Sequence, residues 1–448
     1  MAQPLHLQSL PAADPSTKIR LALLGKALCD ALGGPVEFHP RFSFPFISRM
    51  QPNDNFGLPS GVWTDDTSMA LALARSIATF DGGSGNNSRG GMDAADQLDA
   101  YYRWWQHGDL SATGHCFDIG NTISSALRLY QRALRAAGAV EDVGKGGLRR
   151  VGAALSTPAA KAEKRRKAAQ AALPQIAHNL GGTMFGGNGS LMRVLPVGLA
   201  YWRADDSTVA EYARQSSVTT HPNVVCVEAC VVWTQCIARV VRVAAAAATG
   251  GTAETMTKLD VLHHFASFPY TTPALRKALA ADVALPAASE RDPVVMETHY
   301  TTHHRLLRLV GKTLRASSSQ PVAVEATPND DAAVEARTLA LLPQAAKLPS
   351  SGYVVDTLAA ALYAFLATTT FEAGALLTAN MGNDADTVAA VYGGLAGAWY
   401  GVEDKDRGSE ADQGLFWSPR VREWCDALVR RDMIEKVAEE LVVFAQRT

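Results

Sequence analysis

Residues 380–401 read NMGNDADTVAAVYGGLAGAWYG. An acidic cluster, Asn383-Asp384-Ala385-Asp386-Thr387, runs directly into a stretch without a charged residue. Gly393, Gly397 and Gly401 recur at i, i+4 and i+8, on one face of a helix. Glycine is unfavourable inside a helix, so that face is read as lying close against a neighbouring helix. The segment predicts a buried helix with two carboxylates at its N-terminal end.

The same arrangement recurs near the start of the chain. Residues 61–80, GVWTDDTSMALALARSIATF, place Thr64-Asp65-Asp66-Thr67 before strong helix formers. Upstream, residues 18–38 read KIRLALLGKALCDALGGPVEF, a helical pattern stopped by Gly33-Gly34-Pro35. Further helices are predicted over 94–107, 194–215, 222–245, 353–366, 371–380 and 387–400. Alternating β-branched patterns are almost absent, and no fixed-period repeat is visible. The fold class is all-α: a flexible N-terminal arm (1–17), then a single large domain (18–448) with inserted loops. Residues 131–180 and 319–350 are read as insertions, and 81–93, rich in Gly, Ser and Asn, as a mobile loop.

Composition fits a large core: 448 residues, 47% hydrophobic and 19% charged. A net charge of −2 argues against a protein built mainly to hold nucleic acid. It leaves room for a nucleotide-sized ligand. Residues 357–371 and 387–402, separated by Glu372, read as buried helices rather than membrane spans. The N-terminus lacks the basic start and apolar block of a secretory signal. Cys29, Cys116, Cys226, Cys230, Cys236 and Cys425 form no C-x-x-C pair and are read as reduced thiols. These features predict a cytoplasmic protein, or a nuclear one if the basic run Lys164–Lys167 acts as a targeting signal rather than a solvated helix face.

Each acidic cluster has a plain explanation, since Asp and Thr are favoured at helix starts. A helix start, however, uses one capping oxygen, and two carboxylates in one turn repel unless a cation or donors compensate. Carboxylate and hydroxyl oxygens suit Mg²⁺ or Mn²⁺ rather than zinc. If both helix starts converge, four carboxylates and two hydroxyls suffice for two metals. A third segment, residues 181–196, GGTMFGGNGSLMRVLP, is too Gly-rich for a helix. Its backbone N–H groups could cradle a diphosphate, and a helix beginning near Ser190 would add its dipole. His221, at a predicted helix start in SVTTHPNVVCVEA, and Asp118, in GHCFDIGNT, complete the candidates.

GKALCDALGGPVEF, GVWTDDTSMALALA, GHCFDIGNT, GGNGSLMRVLPVGLAY, TTHPNVVCVEAC and NMGNDADTVAAVYGGLAGAWYG together resemble the ADP-ribosylglycohydrolase family. That family includes dinitrogenase-reductase activating glycohydrolases and animal ADP-ribosyl-acceptor hydrolases. The resemblance implies an all-α orthogonal helical bundle with two Mg²⁺, or Mn²⁺, ions. It implies Thr64, Asp65, Asp66, Asp384, Asp386 and Thr387 as metal ligands. It implies Glu37 as an acid guarding the site, Gly186, Gly187, Asn188, Gly189 and Ser190 as a pyrophosphate loop, and His221 and Asp118 as further substrate contacts. Two departures stand out: Cys29 replaces a usual Gly, and Asn383 replaces the Gly that commonly precedes the D-A-D-T motif.

The function expected is metal-dependent hydrolysis at C1 of the distal ribose of ADP-ribose conjugates, releasing ADP-ribose. The metals would hold the ribose 2- and 3-hydroxyls and activate water, with Asp66 or Glu37 assisting proton transfer. The sequence does not choose the acceptor among a protein arginine or serine, a nucleic-acid end, a phosphate and the next unit of a polymer; the Asp118 match leans slightly toward an arginine-like one, because a carboxylate can hold a guanidinium. Partners expected are an ADP-ribosylated protein or small conjugate, with a nucleic-acid end as a further acceptor that nothing in the sequence indicates. No membrane is expected, and the chain is expected to be a monomer. The alternatives are a two-metal phosphohydrolase of nucleotides and a non-catalytic ADP-ribose-binding protein.

Overall fold

The computed structural model describes residues 3–80, 90–139, 157–249, 255–318, 331–404 and 414–447. In chain order its helices are α1 (Pro15–Gly33), α2 (Asp65–Thr79), α3 (Ala94–His107), α4 (Asn121–Ala136), α5 (Pro158–Leu180) and α6 (Leu195–Ala200). They continue with α7 (Asp206–Val218), α8 (Val224–Ala248), α9 (Lys258–Ser267), α10 (Pro273–Leu279), α11 (Pro293–His303) and α12 (Arg305–Ser318). The last are α13 (Asp331–Leu341), α14 (Val354–Ala367), α15 (Phe371–Ala379), α16 (Ala385–Tyr400), α17 (Pro419–Ala427) and α18 (Arg431–Ala445). Among the described residues there are isolated β-bridges and no strand, so the fold is all-α as expected.

The centre is the α1–α16 pair, the most extensive helix contact among the described residues. Every residue of α16 is buried, as a helix apolar all round should be. The glycine ridge is the reason the two backbones meet. A Cβ on Gly393 would stand 2.3 Å from the Gly25 carbonyl oxygen, and one on Gly397 2.2 Å from that of Leu21. α2, α8, α14, α15 and α18 pack around this pair. α8 is apolar and long enough to cross a membrane, yet 78% of its most apolar window is buried inside the fold. It is a core helix, as are α14 and α16 in the two stretches singled out from sequence.

Four segments differ from expectation. The N-terminal arm is docked: Leu5 is buried, the Leu5 and His6 N–H groups donate to the Glu297 carboxylate (2.8 and 3.1 Å), and Ser9 bridges to Thr257. An apolar anchor, an acid and backbone hydrogen bonds to the 256–258 segment hold it. The single helix predicted over 194–215 is two, because Asp205 accepts from the Thr208 N–H and starts α7 afresh.

Within 131–180, α5 is an integral helix. Ala168, Ala169, Ala172 and Ile176 are buried at helical spacing, and Arg165 pairs with Asp99 of α3 at 2.7 Å. Lys164, Arg166 and Lys167 are exposed. Within 319–350, α13 forms with Val334 and Thr338 buried four residues apart, and Leu348 and Ser350 are fully buried. The rest of that segment (319–330), most of the expected mobile loop (81–89) and residues 140–156 lie outside the described residues.

Candidate active site

The first acidic cluster opens α2. Thr64 is its N-cap and accepts from the Asp66 N–H. What fixes the turn is Asp30 of α1, fully buried. One Asp30 oxygen accepts from the Thr64 N–H and hydroxyl (3.0 and 2.9 Å), the other from the Thr67 N–H and hydroxyl (3.0 and 2.6 Å). Thr67 and Asp30 therefore shape the loop, while Asp65 and Asp66 are left to face elsewhere. Sequence reading missed the role of Asp30. Its signal was an acid inside the apolar pattern of α1, four residues after Lys26.

The second cluster opens α16. Gly382 (φ 66°) and Asn383 (φ 57°) are both left-handed. Asn is the non-glycine residue that tolerates this best, so its replacement of the usual Gly keeps the geometry. The Asn383 N–H donates to His39 O (2.7 Å), and the Phe38 N–H donates to Asn383 O (2.6 Å). This clamp brings Glu37, on a loop after the Gly-Gly-Pro stop, to the second cluster. Buried Arg41 locks the clamp, donating to the carbonyls of Met381 (2.7 Å), Pro343 (2.5 Å) and Leu348 (2.9 Å).

The clusters converge. The Thr387 hydroxyl lies 3.2 Å from Asp66 Oδ2 and 3.3 Å from Asp384 Oδ1, and the Thr64 hydroxyl lies 3.3 Å from the same Asp66 oxygen. Glu37, Asp118 and Asp386 each offer an oxygen within 4.8 Å of the others, a group that could hold a metal ion. Asp118 thus joins the acidic centre itself. Glu37 Oε2, Asp66 Oδ1 and Asp386 Oδ1 are buried without a hydrogen-bond partner. Orphaned buried carboxylate oxygens are rare and call for a counter-charge.

The electrostatics agree. Burial first, then mutual repulsion, pushes Asp65, Asp66 and Asp386 well above the ordinary carboxylate range. Burial and the charges of Asp118, Asp384 and Asp66 push Glu37 to about 10. Asp118 and Asp384 rise to about 6, mainly by burial. Oxygen-only donors, orphaned atoms and crowded buried carboxyls all fit a hard divalent cation.

The Gly-rich loop borders this centre. Asn188 donates to Asp384 Oδ2 (2.5 Å) and to the Thr357 hydroxyl (2.8 Å), so its side chain holds an acidic residue. The Asn188 N–H donates to Gly352 O and the Val354 N–H to Gly186 O, which pins the loop to residues 352–354. No helix begins at Ser190. Residues 189–193 are turns, and the short helix α6 starts at Leu195, so the expected dipole is not aimed at this loop. The Ser190 hydroxyl turns inward to Ser217 (3.0 Å) and Cys230 (3.4 Å).

His221 is buried in the loop between α7 and α8, its Nδ1 on the Thr220 hydroxyl (2.8 Å). Burial holds it well below its ordinary pKa, hence neutral. A Cβ on Gly189 would stand 2.8 Å from the His221 ring, so glycine is required where the loop crosses it. Arg193, also missed from sequence, lies over the Tyr101 ring at 4.6 Å and donates to Gly189 O, supporting the loop from beneath. Half-exposed Tyr353 lies against Gly186, and Phe38, Phe56 and Phe117 form a chain of ring contacts beside Glu37 and Asp118.

Comparisons with known proteins place this arrangement. The chain is 28% identical to the ADP-ribosylarginine hydrolase Tri1 of Pseudomonas putida (strain GB-1) over 420 residues, 94% of this chain and 76% of that protein. It is 26% identical to Tri1 of Serratia proteamaculans (strain 568), covering 97% of this chain and 82% of that protein. Over 80 residues, 18% of this chain and 27% of the relative, it is 40% identical to the ADP-ribosyl-[dinitrogen reductase] glycohydrolase of Rhodospirillum rubrum. A solved ADP-ribosylglycohydrolase-related protein complex superposes with a TM-score of 0.55 at 27% identity, covering 96% of this chain and 99% of that one. Residues 11–448 match the profile of the ADP-ribosylglycohydrolase family. With both acidic helix starts meeting beside the Gly-rich loop, the chain belongs to the ADP-ribosylglycohydrolase family of glycosyl hydrolases.

Proposed function

We propose that this enzyme hydrolyses the bond between C1 of the distal ribose of ADP-ribose and an arginine guanidino nitrogen, releasing ADP-ribose. The observation that carries the reading is the position of Asp118, which shares one 4.8 Å group with Glu37 and Asp386. A carboxylate there can hold a guanidinium by charge-assisted hydrogen bonds. The curated relatives named ADP-ribosylarginine hydrolase support the same acceptor.

Two Mg²⁺ ions, replaceable by Mn²⁺, are proposed between Thr64, Asp65, Asp66, Asp384, Asp386, Thr387 and Glu37. Bound there, divalent ions supply positive charge for ribose hydroxyls and make water easier to ionise. Asn188 holds Asp384, and Asp30 holds the Thr64–Thr67 turn, so the ligand oxygens are set before anything binds. Glu37 Oε2, free of hydrogen bonds, is the atom assigned to take the proton of the attacking water, with Asp66 Oδ1 beside it. Asp118 orients the guanidine as it leaves with oxocarbenium character building at C1. Neutral His221 and the Gly186–Gly189 backbone line the ADP side.

The test is product analysis by mass spectrometry on an ADP-ribosyl-arginine peptide. ADP-ribose and unmodified arginine are expected with Mg²⁺ and neither with a chelator present. Release of AMP instead would point to a phosphohydrolase, and release of ADP-ribose only from a serine-linked peptide would remove the arginine acceptor.

A further inference from the structure

Two walls border the acidic centre. One is the Gly-rich loop, tied to Asp384 through the Asn188 side chain (2.5 Å) and assigned above to the ADP half of the substrate. The other is aromatic. Phe38 follows Glu37 in the chain and Phe117 precedes Asp118, and those two acids offer oxygens within 4.8 Å of each other. Phe56 links the two rings, its centroid 6.3 Å from that of Phe38 and 5.4 Å from that of Phe117. The Asn55 side chain donates to Glu37 O (3.0 Å), which ties the Phe56 loop to the Phe38 loop. Phe117 rests against the hydrophobic core, whereas Phe38 is 65% exposed.

Packing does not account for Phe38. Its φ of 68° is left-handed, where a bulky side chain is disfavoured and Gly or Asn is the ordinary occupant. A ring lying mostly in water recovers little from burial. The backbone conformation has a use, since the Phe38 N–H donates to Asn383 O (2.6 Å). Any residue that accepts this φ would keep that bond. The ring therefore needs a reason of its own, and a strained residue beside a reactive centre points to function.

We propose that Phe38, backed by Phe56 and Phe117, is the acceptor platform: its ring stacks on the guanidinium of the ADP-ribosylated arginine and shields its methylene stem. This rests on the arginine-acceptor reading above and deepens it. The Gly-rich wall takes the ADP half, so the group leaving C1 is left with the aromatic wall. A planar cation on an apolar stem suits an aromatic face, the negative pole of the ring quadrupole. Hydrogen bonds to a guanidinium lie in its plane and stacking lies across it, so Asp118 and Phe38 do not compete for the same group. Phe38 selects the acceptor in this proposal and moves no proton.

The experiment is steady-state kinetics in Mg²⁺ on an ADP-ribosyl-arginine peptide and on ADP-ribosyl-agmatine, which keeps the guanidine and stem without a peptide. Inhibition by ADP-ribose and thermal unfolding accompany it. The variants are Phe38→Asn, which tolerates the backbone, Phe38→Leu, which keeps apolar bulk without a π face, and Phe38→Tyr, which keeps the ring. Phe42→Asn is the backbone control, because Phe42 is the other left-handed ring of this loop (φ 67°, 50% exposed). Phe38→Asn and Phe38→Leu should raise KM about tenfold on both substrates, with kcat and ADP-ribose inhibition within about twofold of the starting protein. Phe38→Tyr and Phe42→Asn should stay within about twofold throughout. The unfolding temperature of Phe38→Asn should not fall, since strain is relieved.

Unchanged KM in Phe38→Asn or Phe38→Leu, with an active starting protein, overturns the platform and leaves the arginine reading intact. A rise confined to the peptide overturns it too, because the rings would then hold flanking residues. So does an equal weakening of ADP-ribose inhibition, or an equal KM rise in Phe42→Asn. A starting protein that cleaves neither arginine-linked substrate removes the acceptor reading and the platform with it. If Phe38→Asn does not fold, Phe38→Leu against Phe38→Tyr decides the matter.

Discussion

Gly397→Ala sets two principles against each other. Helix propensity favours Ala over Gly by about 1 kcal/mol in a helix interior. The contact with α1 opposes it: the new Cβ would stand 2.2 Å from Leu21 O, 2.8 Å from Ala22 Cα and 2.9 Å from Leu21 C. All three are backbone atoms. Non-bonded heavy atoms settle near ~3.5 Å, so α1 and α16 must part by about 1 Å. Overpacking of this kind costs about 1–3 kcal/mol, and a backbone-on-backbone clash belongs at the upper end.

The net expectation for Gly397→Ala is a loss of about 2 kcal/mol in urea unfolding. α1 carries Asp30 and α16 carries Asp386 and Thr387, so a shift of that size should also lower turnover by about 100-fold. Gly394→Ala is the internal control. Its three nearest contacts would all be with one side chain, the Leu195 δ-carbons at 2.9 and 3.2 Å and Cγ at 3.5 Å, which can shift more easily than backbone. That variant should be neutral or up to about 1 kcal/mol more stable. Equal stability and activity of the two variants would refute the idea that the glycine ridge positions the site.

Asp65→Asn/Asp386→Asn should abolish Mg²⁺-dependent thermal stabilisation and activity; full activity of the double variant in Mg²⁺ would refute the metal reading. The metal-free protein should lose stability as pH rises from about 4 to about 8. Asp118 and Asp384 have folded pKa values raised to about 6, so their contribution is present below the unfolded value and is lost as pH passes through 6. Thermal unfolding in chelator reads this, and the stabilisation given by Mg²⁺ should grow over the same window; a flat or falling Mg²⁺ effect would contradict it. Glu37→Gln should lower turnover by roughly 10²–10⁴-fold and leave ADP-ribose affinity nearly unchanged, and the reverse split would remove Glu37 from proton transfer. Gly189→Val, which must displace His221, should weaken ADP-ribose binding by calorimetry, whereas Gly187→Ala, whose nearest contacts are 3.7 and 3.8 Å away, should not.

Much of this was legible because it was local. Uncharged runs marked the buried helices, and paired carboxylates before such runs marked the two starts of the site. The glycine spacing of α16 announced a backbone contact without naming its partner. What stayed illegible depended on distant contacts. Arg41 looks like a surface residue, yet its guanidinium binds carbonyls more than 300 positions away. Arg193 is a buried support stacked on Tyr101, which no local pattern announced. Ser190 carried the pattern of a helix start, but its hydroxyl is drawn into a core network with Ser217 and Cys230. The N-terminal arm read as loose because no periodicity revealed that Glu297 would hold it.

Backbone strain and charge repulsion fall on the same few residues. Phe38, φ 68° and 65% exposed, is a bulky side chain in a region that normally takes Gly or Asn. Its N–H is fixed by Asn383, itself left-handed, and its neighbour Glu37 carries an orphaned oxygen. Strain of this sort persists only where the surroundings over-determine it. Here they do: Arg41 and Ser350 hold the 381–384 turn from below, and the α1–α16 ridge fixes the helices from which both clusters start. The acids stay together because rigid packing leaves them no way to separate, although their mutual repulsion favours it. A flexible scaffold would spread the charges and satisfy each oxygen with water. A rigid one keeps them poised, so a cation arriving there relieves repulsion without having to reorganise the site.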